Sequence, residues 1–141
     1  MQTDTIFKEK LAAHNLRLTS NRKEIFRILI AADRPLLVQE IIAASAGSTH
    51  FTSIYRSIAS LQIADIVREI PRGFKVYYEL GEDFRPHHHH ATCEKCGKTI
   101  PVNDAEVEQL LHDITIKAGL QPTKHHFELF GICRGCSNKN I

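Results

Sequence analysis

Two Cys-x-x-Cys pairs stand in the second half of this 141-residue chain, Cys93 with Cys96 and Cys133 with Cys136. Each pair can hold two corners of one tetrahedral metal site, and Gly97 and Gly135 supply tight turns beside the sulfurs. Four thiolates close the coordination shell, so zinc held there is structural rather than catalytic. The alternatives are four buried thiols or two disulfides. Met1 to Lys10 carries no apolar secretory segment, which predicts a cytoplasmic chain, where structural disulfides are rare and local cysteines favour metal. The gap between the pairs is longer than in a zinc ribbon, so such a site ties together two distant strands.

The second chemistry-bearing run is His87-His88-His89-His90, part of a cluster in which seven of nine histidines fall between residues 87 and 126. On a strand, side chains alternate faces. His87 and His89 then point one way, His88 and His90 the other, and one run feeds two sites. Glu108, on a helix away from its apolar stripe, and His125, opening a later strand, complete a His87, His89, Glu108, His125 set suited to zinc. His126 points away from His125 and competes with it. Glu79, near the end of an earlier strand, is the partner for His88 and His90; its other reading is an ordinary exposed edge residue.

A third feature lies in the first half. The run Thr52-Ser53-Ile54-Tyr55-Arg56-Ser57 opens a helix whose polar face offers Ser53, Arg56, Ser57 and Ser60, with Tyr55 beside it. Small hydroxyls, an arginine and an aromatic suit the major groove of DNA. Arg17, Arg22 and Lys23 add phosphate contacts, and Arg72 and Lys75 place positive charge at a hairpin tip.

These residues need elements to aim them. Ile6, Phe7 and Leu11 predict a short helix. Thr19-Ser20 starts a second, with Ile25, Phe26, Leu29 and Ile30 on its apolar face. Pro35 opens a third, burying Val38, Ile41 and Ile42, with Gly47 just past its end. The fourth runs from Thr52 to Ala64, with Ile54, Ile58 and Leu61 inside. Ile66 to Ile70 and Phe74 to Leu80 predict strands around Pro71-Arg72-Gly73. Helices followed by a hairpin make a winged helix-turn-helix. Gly81 to Pro86 reads as a hinge. Beyond it, His87 to Thr92 predicts a strand. Asn103 caps a helix with core stripe Val107, Leu110, Leu111, Ile114 and Ala118, closed by Gly119, and His125 to Ile132 gives a second strand. The fold class is therefore α+β: a winged-helix domain over 1–81, a hinge over 82–86 and a small α/β domain over 87–141.

Composition sets bounds. With 43% hydrophobic and 24% charged residues the chain is globular, and no apolar run reaches the roughly 20 residues of a membrane span. The net charge of +2 decides nothing about polyanions. Residues 1–81 hold 11 basic against 8 acidic side chains, and 82–141 hold 7 against 8, so a polyanion contact belongs to the first half.

The chain resembles the ferric uptake regulator family of bacterial metal-dependent repressors. The carriers are Leu18-Thr19-x-x-Arg22, Thr52-Ser53-Ile54-Tyr55-Arg56, His87-His88-His89-His90-x-x-Cys93-x-x-Cys96-Gly97-Lys98 and Gly131-Ile132-Cys133-x-x-Cys136. The resemblance implies a homodimer that metal closes onto double-stranded operator DNA near metal-uptake genes, with the C-terminal domain dimerising. It implies that Tyr55 and Arg56 touch DNA and that the four cysteines hold structural Zn2+. It also implies that His87, His89, Glu108 and His125 form a dimerisation-domain site and that Glu79, His88 and His90 belong to a sensing site at the hinge. The iron branch usually has aspartate at the place of His89. The iron and peroxide branches also place a histidine near the start of the third helix and an acid shortly after Cys-Gly-Lys; Pro35, Leu36 and Pro101 stand there instead. Glu69, Asp65 or His50 could substitute. The imidazole-rich sites favour Zn2+ over Fe2+ or Mn2+ as regulatory metal, with an iron- or peroxide-responsive member as the alternative. From another class, a zinc hydrolase needs an open metal position and a cleft; the short chain and the lack of a third catalytic group oppose it. A zinc-storage or chaperone protein would need no DNA-reading helix. No membrane and no small-molecule substrate are expected.

Overall fold

A computed structural model describes residues 2–45 and 51–138. The chain divides into two compact units, Met1–Pro86 and His87–Ile141. The expected end of the third helix at Gly47, and His50, lie outside the described residues.

The first unit holds the apolar core. Helix α1 (Gln2–Ala13) contributes Phe7 and Leu11. Helix α2 (Ser20–Ala31) is capped by Thr19, whose hydroxyl accepts from the Arg22 amide. It buries Ile25, Phe26, Ile28 and Leu29. Ile30, expected on that face, is 43% exposed. It follows Ile25 by five residues, about 140° round the helix, whereas Ile28 follows by three. The third helix begins later than Pro35. Leu36–Leu37 form a short strand, β1, which pairs antiparallel with Tyr77 and Tyr78. Helix α3 (Val38–Ala44) follows, its first turn closed by Glu40, whose carboxylate accepts from the Leu37 amide at 2.8 Å and pairs with Arg34 at 2.6 Å. Helix α4 (Phe51–Ile63) buries Ile54, Ser57, Ile58 and Leu61.

Strands β2 (Val67–Arg72) and β3 (Lys75–Leu80) form the hairpin, with Arg72 facing Lys75 and the turn at Gly73–Phe74. Pro71, expected in the turn, lies inside β2. The strand tolerates it because β2 is an edge of the β1-β3-β2 sheet. With the hairpin following α4, this is a winged helix-turn-helix. The segment 82–86, read from the sequence as a hinge, is ordered against the first unit. Phe84 packs edge-on to Phe26, Lys10 pairs with Asp83 at 2.5 Å, and the Arg85 guanidinium donates to the Leu29 and Ala32 carbonyls at the end of α2.

The second unit is a three-stranded sheet of order β5-β4-β6 with one long helix. Strand β4 (His89–Cys93) lies in the middle, antiparallel to β5 (Thr99–Val102) and parallel to β6 (Glu128–Gly131). Strand β5 was not foreseen; it is four residues long and contains Pro101, which masks its strand signal. β4 starts at His89 rather than His87, and β6 at Glu128 rather than His125. Helix α5 (Ala105–Lys117) is capped by Asp104, not Asn103: the Asp104 carboxylate accepts from the Glu106 amide at 2.9 Å. Its apolar stripe is not a core within one chain. Leu110 is 58% and Ile114 53% exposed, and α5 buries no residue. A one-turn helix, α6 (Arg134–Ser137), carries Cys136. No helix among the described residues is long and apolar enough to cross a membrane.

Gly81 closes β3 against the turn after α4. Its amide donates to the Ile66 carbonyl at 2.9 Å, and a Cβ added there would lie 2.5 Å from the Asp65 carbonyl oxygen. That neighbour is backbone and cannot swing away. Gly81→Ala is expected to destabilise the first unit by about 1–3 kcal/mol; a thermal melt equal to the parent's would show that the approach relaxes freely.

Candidate metal centres and nucleic-acid interface

Cys93 ends β4, and the chain turns back into β5 through Cys96 and Gly97, whose φ of +73° glycine adopts without steric cost. Cys133 follows β6 and caps α6, which brings Cys136 round. Parallel pairing of β4 with β6 sets Cys93 opposite Gly131 and joins the two pairs. All four sulfurs lie within 4.8 Å of one another. Cys96 Sγ is 3.8 Å from Cys133 Sγ, and the Cys133 amide donates to Cys93 Sγ at 3.4 Å. That amide, with the Cys96 amide, holds the Cys93 thiol down at about 6. Hydrogen bonds within the sulfur cluster, to Cys133 and Cys96 above all, push the Cys136 thiol up to about 12. Four sulfurs this close do not all ionise unaided; a divalent cation removes that conflict, so the donor set fits zinc.

The second cluster assembles from three elements. His87 lies just before β4 and His89 within it, Glu108 sits in the first turn of α5, and His125 precedes β6. Their ligand atoms lie within 4.8 Å of one another. His89 Nε2 is 2.5 Å and His87 Nε2 3.2 Å from Glu108 Oε1, His125 Nε2 is 3.4 Å from Glu108 Oε2, and the His87 and His125 Nε2 atoms are 3.1 Å apart. Burial pushes the Glu108 carboxyl up, but the His89 hydrogen bond and the His87 and His125 charges outweigh it and hold the group below its ordinary value. Three imidazole nitrogens and a carboxylate converge on one point, and that donor set also fits zinc. His126, the possible competitor, is exposed and outside the cluster.

The opposite face carries His88 and His90, with ring centroids 4.8 Å apart. His89 and His90 are both buried, at 4% exposure each, on the two sides of the sheet. Glu79 lies in β3 of the first unit. It is not the exposed edge residue of the alternative reading: it is 1% exposed, and Oε1 accepts from Arg68 Nε at 2.7 Å across the strand pair. Of the substitutes considered for a further ligand, Glu69 accepts from Gln62 at 3.1 Å, and Asp65 sits at a positive φ of 52° in the turn after α4. Glu128 was passed over in the sequence. It lies deep beside His90, Oε1 to Nδ1 3.8 Å. The signal was a lone acid inside the apolar run Phe127-Glu128-Leu129-Phe130.

On α4, Thr52, Tyr55 and Arg56 are exposed and Ser53 is half-buried. Thr52, Tyr55, Arg56 and Ala59 share one stripe at helical spacing. Two expected contacts are corrected. Ser57 is 9% exposed and faces the core, because it lies three residues from Ile54 on the apolar side. Arg22 is committed internally: Nε donates to Ser60 Oγ at 2.9 Å and a terminal nitrogen to the Arg17 carbonyl at 2.5 Å. It ties α2 to α4 instead of offering a free charge, and Ser60 is used in the same tie.

The sequence profile of the Ferric uptake regulator family matches residues 13–130. The chain is 30% identical over 139 residues to the ferric uptake regulation protein of Campylobacter jejuni, covering 94% of this chain and 87% of that protein. It is also 30% identical over 131 residues to the zinc uptake regulation protein of Mycobacterium tuberculosis, covering 89% and 98%. The solved structure of the Helicobacter pylori ferric uptake regulator, described with three functional metal binding sites, superposes with a TM-score of 0.78 at 23% identity, covering 95% of this chain and 93% of that one. The chain belongs to the ferric uptake regulator family, and its coarse function is that of a metal-responsive transcriptional regulator.

Proposed function

We propose that this regulator is a zinc-responsive repressor of metal-uptake genes, acting as a homodimer on double-stranded operator DNA. The observation that carries zinc over iron is the convergence of His87, His89, Glu108 and His125: three imidazoles with one carboxylate are a softer set than an oxygen-rich iron site. When bound, zinc supplies a divalent charge that neutral imidazole, thiolate and carboxylate share. Cys93, Cys96, Cys133 and Cys136 fill a closed structural site, and His87, His89, Glu108 and His125 a second one.

The regulatory set draws on Glu79 of the first unit and His88 and His90 of the second. A set supplied by one unit alone stabilises that unit; a sensor needs ligands whose engagement favours the DNA-competent arrangement over its alternative. Thr52, Tyr55 and Arg56 present the reading face, with Ser53 beside them, and Arg72 and Lys75 meet phosphate from the wing. The exposed Leu110 and Ile114 of α5 support burial against a second copy, and the second unit, residues 87–141, is the dimerisation domain. A hydrolase reading has no support in the four-sulfur set, which leaves no open position for substrate.

Four outcomes test this reading. A duplex selected from random-sequence DNA by the zinc-loaded protein is titrated over buffered free zinc, iron and manganese, and with chelator. The expected result is zinc-dependent binding. Equal affinity with chelator removes the repressor, and a response to iron at lower free concentration than zinc reassigns the metal. On the same duplex, Arg56→Ala is expected to lose about 1–3 kcal/mol of affinity while dimer and zinc content stay unchanged. His88→Ala and His90→Ala are expected to keep the structural zinc and the dimer but lose the zinc response, with His89→Ala milder; parental zinc response in the first two makes the His87 and His89 face the regulatory one. Cys93→Ser is expected to lose one zinc per chain and to lower both melting temperature and dimer content, since a closed thiolate site contributes folding free energy; an unchanged folded dimer excludes that role.

A further inference from the structure

His90 stands in the middle strand of the second sheet and so has a register partner on each side. Across the antiparallel pair it faces Pro101 of β5, and across the parallel pair Glu128 of β6. Registered neighbours point to the same face of a sheet. Pro101 offers no ligand atom. Glu128 offers two, on a side chain 5% exposed beside an imidazole 6% exposed, with Oε1 3.8 Å from His90 Nδ1. His88 adds its ring on that face, 4.8 Å from His90 between centroids. Two imidazoles and a carboxylate from β4, the residues before it and β6 therefore lie on one face within the second unit, the His90–Glu128 pair shielded from water, where charge–charge attraction is least screened, and His88 half-buried beside it.

We infer that Glu128 is a ligand of the His88/His90 metal site, supplying from β6 the carboxylate that Pro101 on β5 cannot. The inference rests on the reading of His88 and His90 as ligands. The separation of 3.8 Å suits two donors on one cation better than a direct hydrogen bond, which closes to about 2.7–3.2 Å. The class of ligand is a divalent cation of intermediate softness, zinc before manganese.

The test uses the full chain with Zn2+, and with Co2+ as a spectroscopic probe. Zinc affinity is measured by chelator competition and zinc per chain by elemental analysis for the parent, Glu128→Gln and His88→Ala. Loss of a mere outer partner of a metal site already costs about 10–100-fold in affinity, so Glu128→Gln is expected to weaken the weakest zinc site at least about tenfold and to shift its Co2+ ligand-field bands. The zinc of the four-cysteine site should remain, which reports that the second unit is folded. Should Glu128→Gln not fold, Glu128→Asp takes its place, with altered Co2+ bands expected and unchanged bands overturning the assignment. Parental affinity and spectrum in Glu128→Gln, with loss in His88→Ala, overturn the Glu128 ligand alone. Parental metal content and affinity in His88→Ala overturn the His88/His90 site itself, and the inference with it.

Discussion

Strand β4 is hydrogen-bonded on both edges, and its period of two decides which ligands of the second unit can meet. His87 and His89 fall to one side with Glu108 and His125, His88 and His90 to the other, and Cys93 closes the strand opposite Gly131. A slip of one residue against β6 would exchange the two histidine faces and carry Cys93 away from Cys133. Register is therefore the constraint on every candidate metal cluster in this unit. Antiparallel pairing with β5 and parallel pairing with β6 fix it from both sides, where pairing on one edge would leave it free to shift.

The same strand shows what replaces a hydrophobic core. The buried apolar cluster of the protein, from Phe7 and Leu11 through Ile41 and Leu61 to Leu80, belongs wholly to the first unit. Among the described residues of the second unit, the buried ones are His89, His90 and Cys93, with the Glu128 carboxylate deep beside His90, all polar or metal-ligating residue types. Below about 70–80 residues a core rarely supplies more than about 3–5 kcal/mol, and small domains add metal or oligomerisation. The second unit fits both routes. Its interior is made of metal-ligating residue types, and its apolar side chains, Leu110, Ile114, Leu120 and Phe130 among them, lie outward. On the proposed metal binding and dimerisation, folding, metal occupancy and association are linked, because each supplies what the others lack.

How much of this was legible in the residues follows from the range of each signal. The two Cys-x-x-Cys pairs, the alternation of the four histidines and the apolar positions of α4 and, Ile30 apart, of α2 are local patterns, and the fold places them at the spacing that the patterns imply. Sheet pairing is not local. β5 was missed because four residues containing a proline carry no periodic signal, and with it went the neighbour of His90. The α5 stripe was read as core because amphipathicity shows that a face will be covered but not by what. Ser57 looked like part of a polar face by type, whereas its place three residues after Ile54 puts it inside. Arg22 looked like a phosphate contact because nothing in the sequence reveals Ser60 of another helix. The Arg22 tie is the longest-ranged of these, its partner Ser60 lying 38 residues along the chain.

Arg22 shows how the reading helix is held. Its guanidinium bridges the Arg17 carbonyl before α2 and the Ser60 hydroxyl in the last turns of α4, while Ser60 itself donates to the Ser57 carbonyl. Ile54, Ile58 and Leu61 fix the other face of α4 in the core. The helix is thus clamped by apolar packing along one side and by a charge-assisted hydrogen bond near its C-terminal end. The stripe of Thr52, Tyr55, Arg56 and Ala59 is left open to solvent, with Phe51 and Ile63 exposed at the two ends of the helix. A face held this way loses little backbone entropy on meeting a groove, so binding free energy is not spent on ordering the helix. The rigidity is local to the first unit. On the proposed reading of α4 as the DNA-contacting helix of a dimer, metal control acts on how two such surfaces are spaced rather than on the shape of either one.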